Sequence, residues 1–381
     1  MLDVHQAQHA CGIECHGVSS ISMAMPVQTD QAPLVRVLFG GDVMLGRGVA
    51  QAIRSDGLDY PLVNIAVCLR NADLCIVNLE CAITSASRRW DGEPKAFYFG
   101  APPQAACALA HAGIDLVSLA NNHVLDFGVA GLRDTLRLLD EQGVGHCGAG
   151  HALAGALAPV VREIQGLRFG MVSFCDHQAD FAAAAHRPGI AWLDLDDEAL
   201  AQHAFRQALA SLQQKSVDWP ILALHWGPNM VWRPSQQFRR LAHAAIDMGW
   251  KILFGHSAHV FHGVEIYRGC PILYATGDLV DDYWVDPDFR NDHQLLFELT
   301  VDQTSLQQLR LLPIFIDAYQ THPATRSQAR TIWRRMQDAC AELGSSLQVG
   351  AEEGQALLLL PGSAPVGVPL GLPVDMPKPG R

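Results

Sequence analysis

The chain is poor in charge. Only 17% of its 381 residues are Asp, Glu, Lys or Arg, and the 27 basic residues are outnumbered by 39 acidic ones. With a formal net charge of −12 and no basic stretch interleaved with aromatics, it lacks the clustered cations that phosphate-backbone contacts need. That excludes a general nucleic-acid binder. Also missing is any run of the ~20 apolar residues needed to cross a bilayer. Asp3 and Glu14 stand where a secretory signal would be basic, and no apolar core of signal length follows. A cytoplasmic protein with no membrane span is expected. No glycine-rich GxxxxGK phosphate loop occurs, which argues against ATP-driven ligation by this chain. No GxSxG elbow occurs either, which argues against a serine hydrolase. There is no CxxC pair among the 10 cysteines, and several lie in apolar runs such as Leu74-Cys75-Ile76-Val77, where a free thiol behaves as a small core hydrophobe. This usage points to a reducing compartment. Cys11, Cys15 and His16 form the one dense cluster, in a stretch that reads as a loose leader.

What is present is a large apolar fraction, 49%, enough for a folded core. From Leu34 onward, short apolar runs alternate with helical patterns. Val35 to Phe39, Leu74 to Val77, Asp115 to Leu119, Ile221 to Leu224 and Lys251 to Phe254 read as strands. Leu132, Leu136 and Leu139 recur at helical spacing before Gly143. Ser235 is placed to cap a helix whose face carries Phe238, Leu241, Ala245 and Ile246. Residues 294–316 read as an antiparallel pair, followed by a helix near 325–343. Such alternation predicts a layered α/β fold. The expected organisation is a leader over 1–33, a main domain over 34–345 and a Pro/Gly-rich extension over 346–381.

The polar residues of this chain concentrate at the ends of those strands. Asp42, Glu80, Asn122, His225 and His256 each follow an apolar run closely, and His259 lies three residues beyond His256. Open α/β sheets bind ligands just past the carboxyl ends of their strands. Carboxylate, amide and imidazole donors suit divalent cations, and a set this large suits two ions better than one. Taken singly, an Asp after a strand caps a turn, Glu80 is a solvated loop charge, and Asn122-His123 is a turn held by side-chain hydrogen bonds. Their convergence would be the functional signal. His123 is placed to act as a general acid, and Asp126 would hold its ring and raise its pKa. Arg47, Lys95 and Arg233 are candidate partners for an anionic substrate, or else ordinary surface charges.

The segments Gly41-Asp42-Val43-Met44-Leu45-Gly46-Arg47, Asn78-Leu79-Glu80, Leu119-Ala120-Asn121-Asn122-His123, His225-Trp226-Gly227 and Gly255-His256-Ser257-Ala258-His259-Val260 come in a telling order. Together they resemble the motifs of the CapA-type, poly-γ-glutamate capsule-biosynthesis family, which is similar in fold to calcineurin-like metallophosphoesterases. The resemblance covers about residues 34–285. It implies a sandwich of mixed sheets flanked by helices, an α/β-β-α arrangement, and two divalent ions (Mn, Fe, Zn or Mg). Asp42 and His259 would hold one ion, and Asn122, His225 and His256 the other. Glu80 would bridge them, with Asn78 as the fallback and His262 as a possible substitute for His259. His123 would be the acid beside the metals. The implied activity is hydrolysis of a phosphoester or a γ-glutamyl-type amide by a hydroxide generated at the metals, on an anionic small molecule or a poly-γ-glutamate-like polymer. The alternative is a non-catalytic accessory of polymer biosynthesis with a structural metal site. Two departures stand out. Met44 occupies the position, two after Asp42, where most calcineurin-like phosphoesterases carry a His. Gly277-Asp278 replaces a Gly-Asn pair common in the family, and the added carboxylate would either favour a cation or repel an anionic substrate.

Overall fold

The computed structural model describes residues 33–350 and 354–360. The leader expected before Leu34, with its Cys11, Cys15 and His16, and the tail from residue 361 lie outside the described residues.

Two sheets face one another. In the first, strand Val35–Val43 runs parallel to Leu74–Leu79, which is followed by Leu116–Ser118 and Gly145–Cys147. On its other side strand Val35–Val43 pairs antiparallel with His293–Val301, and that strand pairs with Leu306–Asp317. Short strand Asp278–Val280 adds to the end of Val35–Val43 in parallel. The second sheet has Trp219–His225 at its centre, parallel to Leu167–Cys175 on one side and to Ile252–His256 on the other.

Strand alternation sends one face of each sheet into a shared core. Val37 and Phe39 from the first sheet meet Met171, Ile221 and Phe254 from the second. The Phe39 and Phe254 rings sit 5.1 Å apart. Ser118 and Ser173 join their hydroxyls across the same interface at 2.6 Å. The outer face of the first sheet, with Leu38, Cys75 and Val77, packs under helix Gly128–Glu141 through Leu132, Leu136 and Leu139. The outer face of the second, with Val172, Leu222 and Leu253, packs under helices Glu198–Gln213 and Gln236–Met248. The result is the layered α/β-β-α sandwich of mixed sheets predicted from the sequence.

The helix starts follow their capping chemistry. Ser235 accepts a hydrogen bond from Phe238 N at 3.1 Å, as its position predicts. Helix Arg326–Glu342 opens with a capping box between Thr325 and Gln328. The predicted antiparallel pair is His293–Val301 against Leu306–Asp317, with Phe297 opposite Leu311. Within the stretch expected as a Pro/Gly-rich extension, Ser346–Val349 and Ala356–Leu359 are strands, and Leu358 pairs with Leu309 at the edge of the first sheet. The cysteines among the described residues are free thiols, most of them buried. Among the described residues, no helix is long and apolar enough to cross a membrane.

Candidate metal centre

The parallel strands of both sheets end at the same place, and their terminal polar residues converge there. Asp42 sits in register with Asn78 on one side and Asp278 on the other. The approach of those two neighbours depends on glycine. The strand shifts register between Phe39 and Asp42, and a β-carbon on Gly41 would fall 2.0 Å from the Gly277 carbonyl oxygen. Without side chains there, Asp42 N donates to that carbonyl at 2.8 Å. In the second sheet His225 stands in register with His256.

The side chains then interlock. Asn78 Nδ2 donates to Asp42 Oδ1 at 2.8 Å and to Glu80 Oε2 at 2.6 Å. Glu80 Oε2 lies 3.6 Å from His225 Nδ1. His225 Nδ1 and His256 Nδ1 are 2.9 Å apart, and His256 Nδ1 is 3.8 Å from Asp42 Oδ1. His259 Nδ1 is 3.5 Å from Asp42 Oδ2 and 2.9 Å from Asp278 Oδ1. The loop carrying the two later histidines bends sharply, with Ser257 at φ +100° and His259 at φ +58°, conformations a non-glycine residue adopts at a cost of ~1–3 kcal/mol each. It is pinned in that shape by hydrogen bonds from Met230 N to Ala258 O and from Gln294 Nε2 to His259 O. Strain held this way marks a loop shaped for the residues it presents.

So much charge so deep perturbs every group. Burial, helped by Asp278 and opposed by His259, pushes Asp42 up to about 7. Burial likewise pushes Asp278 up to about 8 and holds Glu80 well above the usual carboxylate range. Burial and His259 push His256 down to about 3, and burial with His256 holds His225 well below the usual imidazole range. Each shift favours the neutral form of its group, as burial away from water dictates. Several atoms also lack a partner: Asp42 Oδ2, His256 Nε2, Asn122 Oδ1 and Asp278 Oδ2 are buried with no hydrogen bond. Unmet donors and acceptors of this kind cost free energy unless something fills the gap. Oxygen and imidazole nitrogen are the ligands a divalent cation takes. Asp42, His225 and His256 present ligand atoms within 4.8 Å of one another, and so do Asp42, His259 and Asp278. The residues fit divalent metal.

Beside this cluster, His123 Nδ1 lies 2.6 Å from Asp126 Oδ2, and the ring stacks on Phe99 at 3.9 Å between centroids. Asp126 Oδ2 also accepts from Phe99 N at 2.7 Å, and its other oxygen pairs with Lys95. Asp126 does orient the ring, but the expected rise in pKa is reversed. Burial outweighs the carboxylate, and Lys95 adds to it, so His123 is pushed down to about 4.

The remaining predicted residues divide. Lys95 is buried against Asp126 and the Asn122 carbonyl. Arg47 pairs with Asp282 at 2.6 Å and lies over Phe97 and Phe99. Arg233 is exposed and paired with Glu342, apart from the cluster. His262, the substitute weighed for His259, gives its Nε2 to the Val231 carbonyl at 2.8 Å. Met44 turns into the core, where its Sδ accepts from Gly46 N at 3.1 Å.

Sequence reasoning misses three features. Asn121 is the framework of the loop: its Nδ2 donates to Asn78 Oδ1 and Leu79 O, while its Oδ1 accepts from His123 N and Val124 N. Asp278 stands out in the sequence as a departure, but nothing there gives it a partner. Cys175, His177 and His225 also place ligand atoms within 4.8 Å of one another, with Asp176 against His177. Cys175-Asp176-His177 closes strand Leu167–Cys175, whose Arg168, Gly170 and Ser173 break the apolar run that marks the other sites.

A family model described as bacterial capsule synthesis protein PGA_cap matches residues 36–283. A protein of Mycobacterium tuberculosis named probable polyglutamine synthesis accessory protein is 32% identical over 347 residues, covering 79% of this chain and 90% of its own. The capsule biosynthesis protein CapA of Bacillus anthracis is 25% identical over 303 residues, covering 79% of this chain and 72% of its own. The PGA biosynthesis protein CapA of Bacillus subtilis is 27% identical over 301 residues, with 78% and 75% covered. Among solved structures, a 5'-nucleotidase precursor from Thermus thermophilus aligns over 82% of this chain and 59% of its own, at 12% identity and a TM-score of 0.43.

Proposed function

The chain belongs to the bacterial capsule synthesis protein PGA_cap family, and from that footing we propose that it is a metal-dependent hydrolase of polymer metabolism, cleaving a phosphoester or a γ-glutamyl-type amide. The observation that carries this reading is the convergence of buried carboxylate and imidazole atoms, several of them unpartnered, at the strand ends of both sheets. Asp42 and His259 would hold one cation; Asn122, His225 and His256 would hold the other. Glu80 is favoured over Asn78 as the residue between them. Both polar ends of the Asn78 amide are already used, by Asp42, Glu80 and Asn121. When bound, such ions polarise a phosphoryl or carbonyl centre and lower the pKa of nearby water.

The protein's own groups supply the rest. Asp42 and Glu80 are fixed by Asn78, so the donor set is organised before any ligand arrives. His123 has its Nδ1 committed to Asp126, which leaves Nε2 to carry the proton for a leaving group. The imidazole, neutral in the free protein, would take up that Nε2 proton from solvent as an anionic substrate beside it raises its pKa toward neutrality. Phe99, stacked on the ring, keeps it from turning.

The test is turnover of an aryl phosphate and of a γ-glutamyl peptide by metal-stripped protein titrated with Mn²⁺, Zn²⁺ or Mg²⁺. Metal-dependent turnover of one substrate is expected, falling about 10²–10⁴-fold in His123→Ala with metal content unchanged. Turnover that ignores chelation and the substitution refutes the proposal. A second reading, a non-catalytic accessory of polymer synthesis, is favoured by the name of the mycobacterial relative. Stoichiometric metal with no turnover of either substrate would select it.

A further inference from the structure

Two residues past Asp42, Met44 offers the site no nitrogen, since its sulfur is turned into the core toward Gly46 N. The opposite flank of Asp42 is built differently. Strand Asp278–Val280 pairs with Val35–Val43 so that Asp278 is the register partner of Asp42. Gly277, at φ +72°, turns the chain into that strand, and bare Gly41 lets the two backbones close. Asp278 is 0% exposed. Its Oδ1 lies 2.9 Å from His259 Nδ1, whose other carboxylate neighbour is Asp42 Oδ2 at 3.5 Å. The free oxygens, Asp42 Oδ2 and Asp278 Oδ2, are both buried and without a hydrogen-bond partner. With Asp281 against Asp278, three carboxyl groups share this pocket out of water with one imidazole, and they can be ionised together only if a cation joins them.

Resting on the two-cation reading above, we infer that Asp278 is itself a metal ligand, completing with Asp42 and His259 an oxygen-rich cation site. The other position, around His225 and His256, is rich in imidazole. The two halves of the centre therefore differ in chemistry. Carboxylate oxygen favours harder ions such as Mn²⁺ or Mg²⁺, whereas imidazole suits Zn²⁺ or Fe²⁺. The departure at Asp278 thus makes good the nitrogen that Met44 withholds, by supplying charge in its place. The centre is then a mixed pair, with its weaker, exchangeable ion on the Asp278 side.

The experiment loads the metal-stripped full chain with Mn²⁺ and with Zn²⁺, counting bound ions by mass spectrometry and following Mn²⁺ by electron paramagnetic resonance. The wild-type chain is expected to take up two Mn²⁺ and give the spectrum of a coupled pair. Asp278→Ala is expected to take up one, with an uncoupled spectrum. Asp278→Asn, which keeps an oxygen but loses the charge, is expected to bind its second Mn²⁺ about tenfold or more weakly. A further sign separates ligation from folding. Without metal, Asp278→Asn is expected to melt higher than wild type because a buried ionisable group is gone, yet to gain less from added Mn²⁺. If both variants hold two Mn²⁺ at wild-type affinity, Asp278 is no ligand and the two-cation reading stands without it. If the wild-type chain binds no divalent ion, both fall together.

Discussion

Stripping the metal and raising the pH from about 7.5 to about 8.5 should destabilise this protein, with a sign and size that follow from its buried groups. Burial pushes Asp42 up to about 7 and Asp278 up to about 8, against about 3.9 for an unfolded Asp. In this window the unfolded chain has already released both protons, while the folded chain still holds much of the one on Asp278 and a little of the one on Asp42. The native state therefore binds more protons, and its stability falls as pH rises through the folded values. The imidazoles work in a different range. His256, pushed down to about 3, contributes stability that is fully present above the unfolded value of about 6.5 and is lost only as pH falls. The other imidazoles that burial holds low behave alike; by about pH 7.5 their unfolded forms have given up their protons, and above it the carboxylates set the slope. Each retained proton is worth about 1.4 kcal/mol per pH unit. With Asp278 acting through the first part of the window and Asp42 only at its start, the loss is on the order of 1 kcal/mol. The two carboxylates titrate as a pair, which spreads the loss without changing its direction. Saturating Mn²⁺ displaces those protons, so the loaded protein should hold its stability or gain it over the same range. Urea denaturation of chelated and Mn²⁺-loaded protein, followed by circular dichroism, measures both slopes. Stability of the chelated protein that stays flat or climbs across the window would refute the assignment of protons to these carboxylates.

Two further outcomes concern the frame around the centre. Asn121→Ala removes four buried hydrogen bonds at once and leaves backbone and amide groups unmet, so a loss of about 2–4 kcal/mol in urea melts is expected, with weaker metal uptake. Phe39→Ala opens the interface where that ring meets Phe254 and should cost about 3–5 kcal/mol, while leaving metal stoichiometry unchanged in the fraction that folds.

Much of this architecture was legible because one rule repeats along the chain. An apolar run followed by Asp, Asn or His marks a strand end, and it located Asp42, His225 and His256, whose ligand-type atoms converge. The rule faltered where its premises were weak. Strand Asp278–Val280 is three residues long, too short to show alternation, so the carboxylate at its head could be read as favouring a cation or repelling an anion but not given a partner. Strand Leu167–Cys175 carries Arg168, Gly170 and Ser173 among its apolar residues, and those interruptions hid both the strand and the Asp176-His177 pair after it. Asn121 and Asn122 are chemically alike, and only tertiary contacts show that the first is spent on structure while the oxygen of the second is left unmet. The pKa expected for His123 fails for another reason: a neighbour can be read from spacing, but burial cannot. The edge strands beyond residue 345 depend on pairing with Leu309 and its neighbours, a long-range register that local composition does not encode.

The seam between the two sheets carries a mechanical consequence. Asp42, Asn78 and Glu80 hang from one hydrogen-bonded network, His225 and His256 from another, and between those networks lie mostly apolar surfaces such as Phe39 on Phe254. Apolar surfaces tolerate sliding; coordination bonds do not. A cation at the strand ends would act as a rivet at one edge of this seam, locking out slip and splay between layers that the core alone only discourages. Loss of the ion would then be felt first as a loosening at that edge, with the deeper layer of rings serving as the hinge.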